Sequence, residues 1–155
     1  MIKVGLIGYG KAGQAVAQVL HNDPRFELAW IARRTPSAHE FMPNTAVPVV
    51  GLNAGNLVAL LDSKPVDALV DFSMPDSIFM YGEEVKRRRL LLVSAISSYE
   101  ASHLAFASKM GESTRVLCSP NITLGINFLI MAAQLLRSIA PFADVEILDQ
   151  HFKEK

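Results

Sequence analysis

Residues 5–20 read GLIGYGKAGQAVAQVL, and three glycines in this stretch, Gly8, Gly10 and Gly13, stand at G-x-G-x-x-G spacing. The apolar run IKVGLIG leads into them. Behind them Ala12, Ala15, Val16, Val19 and Leu20 recur at i, i+3, i+4, i+7 and i+8, the period of one helix face. The stretch therefore predicts a strand that turns sharply into a helix, which Asn22, Asp23 and Pro24 stop. At such a turn the first glycine permits the tight bend, the second lets backbone approach a pyrophosphate, and the third lets the helix pack closely on the strand. The helix start then offers free N–H groups and the positive end of its dipole to the phosphates. Gly8, Tyr9, Gly10, Lys11, Ala12 and Gly13 are thus candidate cofactor-binding residues. Turn glycines of an α/β domain without a ligand would give the same letters. The flanking strand and helix, and the place of the motif at the opening of the chain, favour a dinucleotide.

Working outward, FELAWIA (26–32) reads as a second strand and TAVPVVG (45–51) as a short third one. GNLVALLDS (55–63) fits a helix, VDALVDFS (66–73) a fourth strand, and DSIFMYGEEVKRRR (76–89) a helix with Glu83 and Glu84 four residues before Arg87 and Arg88. LLLVSA (90–95), YEASHLAFASKMG (99–111) and TRVLCS (114–119) continue as strand, helix closed by Gly111, and strand. Regular alternation of this kind implies right-handed crossovers and a Rossmann-type α/β fold, a doubly wound parallel sheet with helices on both faces. The last third differs. TLGINFLIMAAQLLRSIA (123–140) is a long apolar helix that Pro141 terminates, and DVEILDQHFKEK (144–155) alternates like a strand of something not completed within these residues. The expected organisation is a dinucleotide-binding domain over 1–122, then a linker helix and the start of a second domain over 123–155.

The chain has 155 residues, enough to bury a substantial core, with 50% hydrophobic and 19% charged residues. Fifteen Lys plus Arg balance fifteen Asp plus Glu. No field of one sign would draw nucleic acid or anionic lipid, so small molecules and protein surfaces are the expected partners. Cys118 is the lone cysteine, so no disulfide framework is expected and a reducing cytoplasm is the natural home. Met1 leads straight into the first strand without the pattern of a secretion signal, and FLIMAAQLL is too short to span a bilayer.

The choice of dinucleotide turns on the end of the second strand, where an NAD site usually carries an acidic residue for the ribose hydroxyls. Here the chain reads WIARRTP. Ala32 has no carboxylate to repel a 2′-phosphate, and Arg33 and Arg34 are placed to clamp one, so NADPH is favoured and NADH is the second candidate. Two solvated loop arginines are the plainer alternative.

DFSMPDS (71–77), SPNITLGINFL (119–129) and VEILDQHFKEK (145–155) resemble, in that order, segments of the 4-hydroxy-tetrahydrodipicolinate reductase family, also called dihydrodipicolinate reductases. The resemblance implies an NADPH-dependent reduction of a cyclic imine dicarboxylate in lysine and diaminopimelate biosynthesis, by a homo-oligomeric enzyme. By the same resemblance Gly8, Gly10 and Gly13 hold the pyrophosphate, and Phe72, Ser73 and Pro75 form the loop beside the cofactor ribose and nicotinamide. Asn121 and Thr123 match the Asn and Ser of the family's A-x-N-F-S-x-G segment. His151 and Lys155 match the first His and the Lys of its E-x-H-H-x-x-K motif, and so become the implied catalytic pair around the substrate carboxylates and the site of protonation. If that run is extended, period two puts Asp149, His151, Lys153 and Lys155 on one side. The chain also departs from the pattern. The family's G-T-T-G beside the nicotinamide is AISS here, with Ala95 and Ser97 at its positions and both glycines gone. Phe152 replaces the second His. The family's substrate-gripping D-A-P-S-G-T-A segment does not follow Lys155 within these residues, so they are expected to bind nucleotide without forming a whole active site.

Other residues suggest less. His21 lies near a helix end, His39 in a loop and His103 on a helix, none with neighbours at metal-ligand spacing, so no metal is expected. Lys86–Arg89 reads as a solvated helix terminus, and Ser94, Ser97 and Ser98 lack a nucleophile elbow. Asp71 either lines the cleft or caps the turn that follows. Two further readings stay open: a nucleotide-binding or regulatory module without catalysis, favoured by AISS, and another two-domain dehydrogenase, since fold alone does not fix chemistry.

Overall fold

The computed structural model describes residues 1–36, 39–146 and 148. Ten of its elements, β1 (Ile2–Ile7), α1 (Lys11–Asn22), β2 (Phe26–Arg33), β3 (Val49–Gly51), α2 (Ala54–Ser63), β4 (Ala68–Asp71), α3 (Ser77–Arg88), β5 (Leu91–Ser94), α4 (Ala101–Gly111) and β6 (Val116–Cys118), fall within one compact unit, Met1–Pro120. Helix α5 (Leu124–Ile139) belongs to a second, Asn121–Lys155.

All six strands are parallel, in the order β3-β2-β1-β4-β5-β6. The strand order turns back at β1 and β4, and a crevice opens there beyond the carboxyl ends of the strands. Alternating side chains sort onto two faces. Val4, Leu6, Leu28 and Ile31 pack with Ala17 and Leu20 of α1. Ile7, Trp30, Leu69 and Leu92 pack with residues of α2, α3 and α4, among them Leu57, Tyr81 and Met110. The sheet is thus covered on both sides, as near-continuous apolar strands require.

Three features of this unit differ from the sequence expectation. In α1 the buried face runs through Gly13, Ala17 and Leu20, whereas Ala12, Ala15 and Val19 of the expected face lie exposed. The third strand shrinks to Val49–Gly51 because the residues before it pair with one another instead: Met42 N donates to Val47 O, Val49 N donates to Glu40 O, and Phe41 and Pro48 form an antiparallel bridge. Pro48, which has no N–H, serves the sheet only as acceptor, from Ile31 N at 2.9 Å. The basic run is also less solvated than expected. Lys86 pairs with Glu83, Arg87 with Glu84, and Arg88 with both Glu84 and Asp62, while Arg89 ends α3 in the left-handed region at φ 54°.

Within the second unit, Thr123 is the N-cap of α5, and Ala140 closes it one residue before Pro141. Leu124, Phe128, Leu129, Met131, Leu135 and Ile139 lie exposed. Residues 144–146 are not in a strand, and the rest of the expected strand, with His151 and Lys155, lies outside the described residues apart from Leu148.

Candidate functional site

The turn between β1 and α1 is built from backbone. Gly8 has φ +95°, a conformation L side chains rarely adopt, and a Cβ there would lie 2.5 Å from the Phe72 carbonyl oxygen. At Gly13 a Cβ would lie 2.1 Å from the Gly8 carbonyl oxygen, so the helix rests directly on the turn. Gly10 is different. Its φ of −77° suits any residue, and a Cβ there would meet nothing within 4 Å. Neither backbone strain nor crowding requires glycine there: Gly10 is the N-cap of α1, a place that favours glycine, and the open space beside it leaves room for close approach of a ligand. No side chain caps the start of α1 and no acidic residue sits in its first turn, which leaves that end suited to an anion.

A cavity of about 680 Å³ opens at this turn, within the size range of small-molecule sites. Ile7, Gly8, Tyr9 and Gly10 form one wall, Ala32, Arg33, Arg34 and Thr35 a second, and Phe72, Ser73 and Met74 a third, with Leu52, Asp76, Ser77 and Met80 completing it. Hydrogen bonds lock the walls together: Gly8 N donates to Ala32 O and Phe72 N to Ile7 O, both at 2.8 Å. Of the sequence candidates, Gly8, Tyr9, Gly10, Arg33, Arg34, Phe72 and Ser73 line this cavity. Lys11 and Ala12 are exposed at the start of α1, and Gly13 is buried beneath the turn. Pro75 lies in the turn before α3, its carbonyl accepting from Ile78 N. Ala95 N donates to Asp71 O, and Ser97 is exposed in the following turn. Asn121 and Thr123 belong to the second unit, where Asn127 Nδ2 donates to both of their carbonyls.

The two arginines are not equivalent. Arg33 donates to Glu40 Oε1 at 3.1 Å, and both side chains are partly exposed. Arg34 is more open and reaches the Met74 sulfur on the opposite wall. Glu40 also acts on Tyr9, whose hydroxyl is pushed up by burial first and by the Glu40 charge second. Sequence reasoning missed Glu40, because only the pairing of residues 40–49 brings it back to the end of β2. Asp76 and Ser77, just before an apolar-periodic helix, carried a readable signal as a helix start; Leu52 and Met80 carried none.

The open question of Asp71 is answered by geometry. It is fully buried; its Oδ1 accepts from Ser73 N at 2.8 Å and Ser73 Oγ at 2.5 Å, and its Oδ2 from Tyr81 Oη at 2.6 Å. It caps the turn from beneath rather than lining the cleft. Burial pushes its pKa up, against the lowering effect of these bonds, and Tyr81 is pushed up by burial and then by the Asp71 charge. His103, also buried, accepts from Glu100 N at Nδ1; its Nε2 therefore carries the proton toward Asp76 Oδ1 at 3.1 Å.

Comparison with known proteins bears on this arrangement. The 4-hydroxy-tetrahydrodipicolinate reductase of Methylococcus capsulatus is 25% identical over 169 residues, covering 100% of this chain and 59% of the relative. Among solved structures, dipicolinate-bound dihydrodipicolinate reductase from Paenisporosarcina sp. TG-14 superposes with a TM-score of 0.72 at 20% identity, over 89% of this chain and 54% of the other. Apo scyllo-inositol dehydrogenase from Lactobacillus casei gives 0.62 at 12% identity, over 93% and 43%, so the fold extends beyond one chemistry. The chain spans little more than half the length of the reductases it matches. The family described as dihydrodipicolinate reductase, N-terminus, matches residues 2–122, most of the chain, and the chain therefore belongs to that family.

Proposed function

We propose that this chain supplies the nucleotide-binding part of a cytoplasmic, homo-oligomeric oxidoreductase that uses NADPH to reduce a cyclic imine dicarboxylate, the 4-hydroxy-tetrahydrodipicolinate reductase reaction of lysine and diaminopimelate biosynthesis. The carrying observation is Gly10: a glycine with ordinary backbone and open space before it, at the mouth of a cavity, in a chain of this family. The cofactor, when bound, supplies a hydride. Gly8, Gly10 and the start of α1 receive the pyrophosphate, with Lys11, Ala12 and Gly13 in the supporting turn. Phe72 and Ser73 wall the other half of the nucleotide, with Pro75 holding the turn, and Ala95, Ser97, Asn121 and Thr123 are assigned beside the nicotinamide by the family's pattern. Arg34 carries the preference for a 2′-phosphate, because Glu40 already engages Arg33. NADH is the weaker ligand. His151 and Lys155 assist protonation and hold substrate carboxylates. The exposed apolar residues of α5 suit burial against further protein, which supports the oligomeric reading. The residues 1–122 then form the nucleotide domain, and 123–155 the linker helix and the entry to a substrate domain.

The test is NADPH oxidation with the cyclic imine, using the complete product of the gene. General acid groups contribute roughly 10²- to 10⁴-fold in rate, so His151→Gln and Lys155→Ala are expected to lose activity on that scale. Near-parent turnover by both variants overturns their assignment. Nucleotide binding without any turnover by the complete product favours a binding module, the reading to which the glycine-free segment Ala95–Ser98 points.

A further inference from the structure

The wall of the cavity formed by Phe72 and Ser73 has an unusual support. Asp71 is the last residue of β4, paired laterally with Ile7 of β1 and Ser94 of β5. Its carboxylate does not face the cavity. Oδ1 turns forward to take both the N–H and the hydroxyl of Ser73, and Oδ2 turns back to the Tyr81 hydroxyl on α3. The peptide between Phe72 and Ser73 is thereby fixed on one side by a buried charge. On its other side it lies against Gly8, where a Cβ would come within 2.5 Å of Phe72 O and 2.7 Å of Ser73 N. The same peptide thus sets the floor for the glycine turn and one wall of the cavity. Tyr99, from the segment after β5, bonds the Ser94 hydroxyl at 2.8 Å and also acts on Tyr81, so the support extends beneath the Ala95–Ser98 loop.

We propose that Asp71 is a positioning residue for the nucleotide site: its carboxylate, held by Tyr81, sets the Phe72–Ser73 peptide against Gly8 and so governs how tightly the glycine turn receives a pyrophosphate. This rests on the reading of the cavity as a nicotinamide dinucleotide site. A carboxylate buried only for stability would be an expensive choice, because a well-packed apolar residue at such a place is often neutral or better. Here three donors converge on it and two of them belong to the residue that lines the cavity. The burial of Asp71 raises its pKa, so the three donors oppose a real desolvation cost. Because the peptide it holds is backbone beneath the phosphates, the effect falls equally on nucleotides with and without a 2′-phosphate. That separates Asp71 from Arg34, whose effect depends on the 2′-phosphate.

The experiment titrates NADPH and NADH against the parent chain and against Asp71→Ala, Asp71→Asn and Tyr81→Phe, with far-UV circular dichroism and thermal melting on each. Loss of a hydrogen bond to a charged group is worth enough to expect about 10-fold weaker binding of both nucleotides by Asp71→Ala, with their ratio unchanged. Asp71→Asn keeps an oxygen for Ser73 and is expected to recover most of that loss. A folded Asp71→Ala that binds as the parent does overturns the proposal, as does a loss confined to NADPH. If Asp71→Ala does not fold, Tyr81→Phe decides: equal weakening of both nucleotides upholds the proposal, and parental affinity overturns it. A parent chain that binds neither nucleotide instead brings down the reading of the cavity, which is a separate result.

Discussion

The β1–α1 turn and the end of β2 face the same cavity but are specified in different ways. At the turn the constraint is backbone: Gly8 and Gly13 are required by neighbouring protein atoms, while Gly10 borders open space. At the end of β2 the surface is made of side chains gathered from three segments: Arg33, Arg34 and Met74 line the cavity, and Glu40 pairs with Arg33. The first arrangement is local in sequence and the second is not. On the proposed reading, capacity to hold a dinucleotide is written in one short motif, whereas the choice between dinucleotides depends on folding.

The contrast within the turn can be broken first. Gly13→Val drives a side chain into the Gly8 carbonyl, and backbone cannot yield cheaply there. The expected cost is roughly 5 kcal/mol or more, about 10–20 °C in Tm, read by thermal melting. A melting temperature near the parent's would show that α1 does not rest on the turn as described. Gly10→Val should behave in the opposite manner, lowering Tm by no more than a few degrees through the poorer N-cap while weakening NADPH by about 100-fold or more, since its side chain enters only open space. Equal affinity in that variant would remove the argument from Gly10.

The end of β2 gives smaller effects. Arg34→Ala is expected to weaken NADPH by about 10-fold and to leave NADH unchanged, the loss of one charge-assisted contact. Arg33→Ala should cost less, because a partly exposed pair such as Arg33 with Glu40 is worth only about 0–1 kcal/mol and already occupies that guanidinium. A larger loss at Arg33 than at Arg34 would reverse the assignment. The smallest effect concerns pH. Burial raises the Asp71 pKa in the fold above its unfolded value. Stability from this group is therefore full below the unfolded pKa and declines as pH rises through the folded one. The Tm of the parent should fall relative to Asp71→Asn as pH climbs from the acid side through the upper carboxylate range. A difference that stays constant over that range contradicts the direction of the shift.

Legibility in the sequence followed the same division. The alternation of apolar runs and helical periods disclosed the strand and helix order, because each element is dictated by its own residues. β3 is shorter than its apolar run implies, since the pairing of residues 40–49 with one another competes with the sheet and is invisible in a period-two pattern. Gly8, Gly10, Phe72 and Ser73 were readable as cavity residues from motif and resemblance. Asp71 was readable as a position but not as a support, because its partner Tyr81 lies ten residues on and meets it only through the packing of α3. Leu52 and Met80 are single apolar residues whose place in a wall depends on crossovers alone.

The most direct test of the account is a titration of NADPH against the chain, followed by nicotinamide fluorescence, with NADH alongside. One saturable site, tighter for NADPH than for NADH and lost in Gly10→Val, is the predicted result. A folded chain that shows no saturation with either nucleotide into the millimolar range would contradict it.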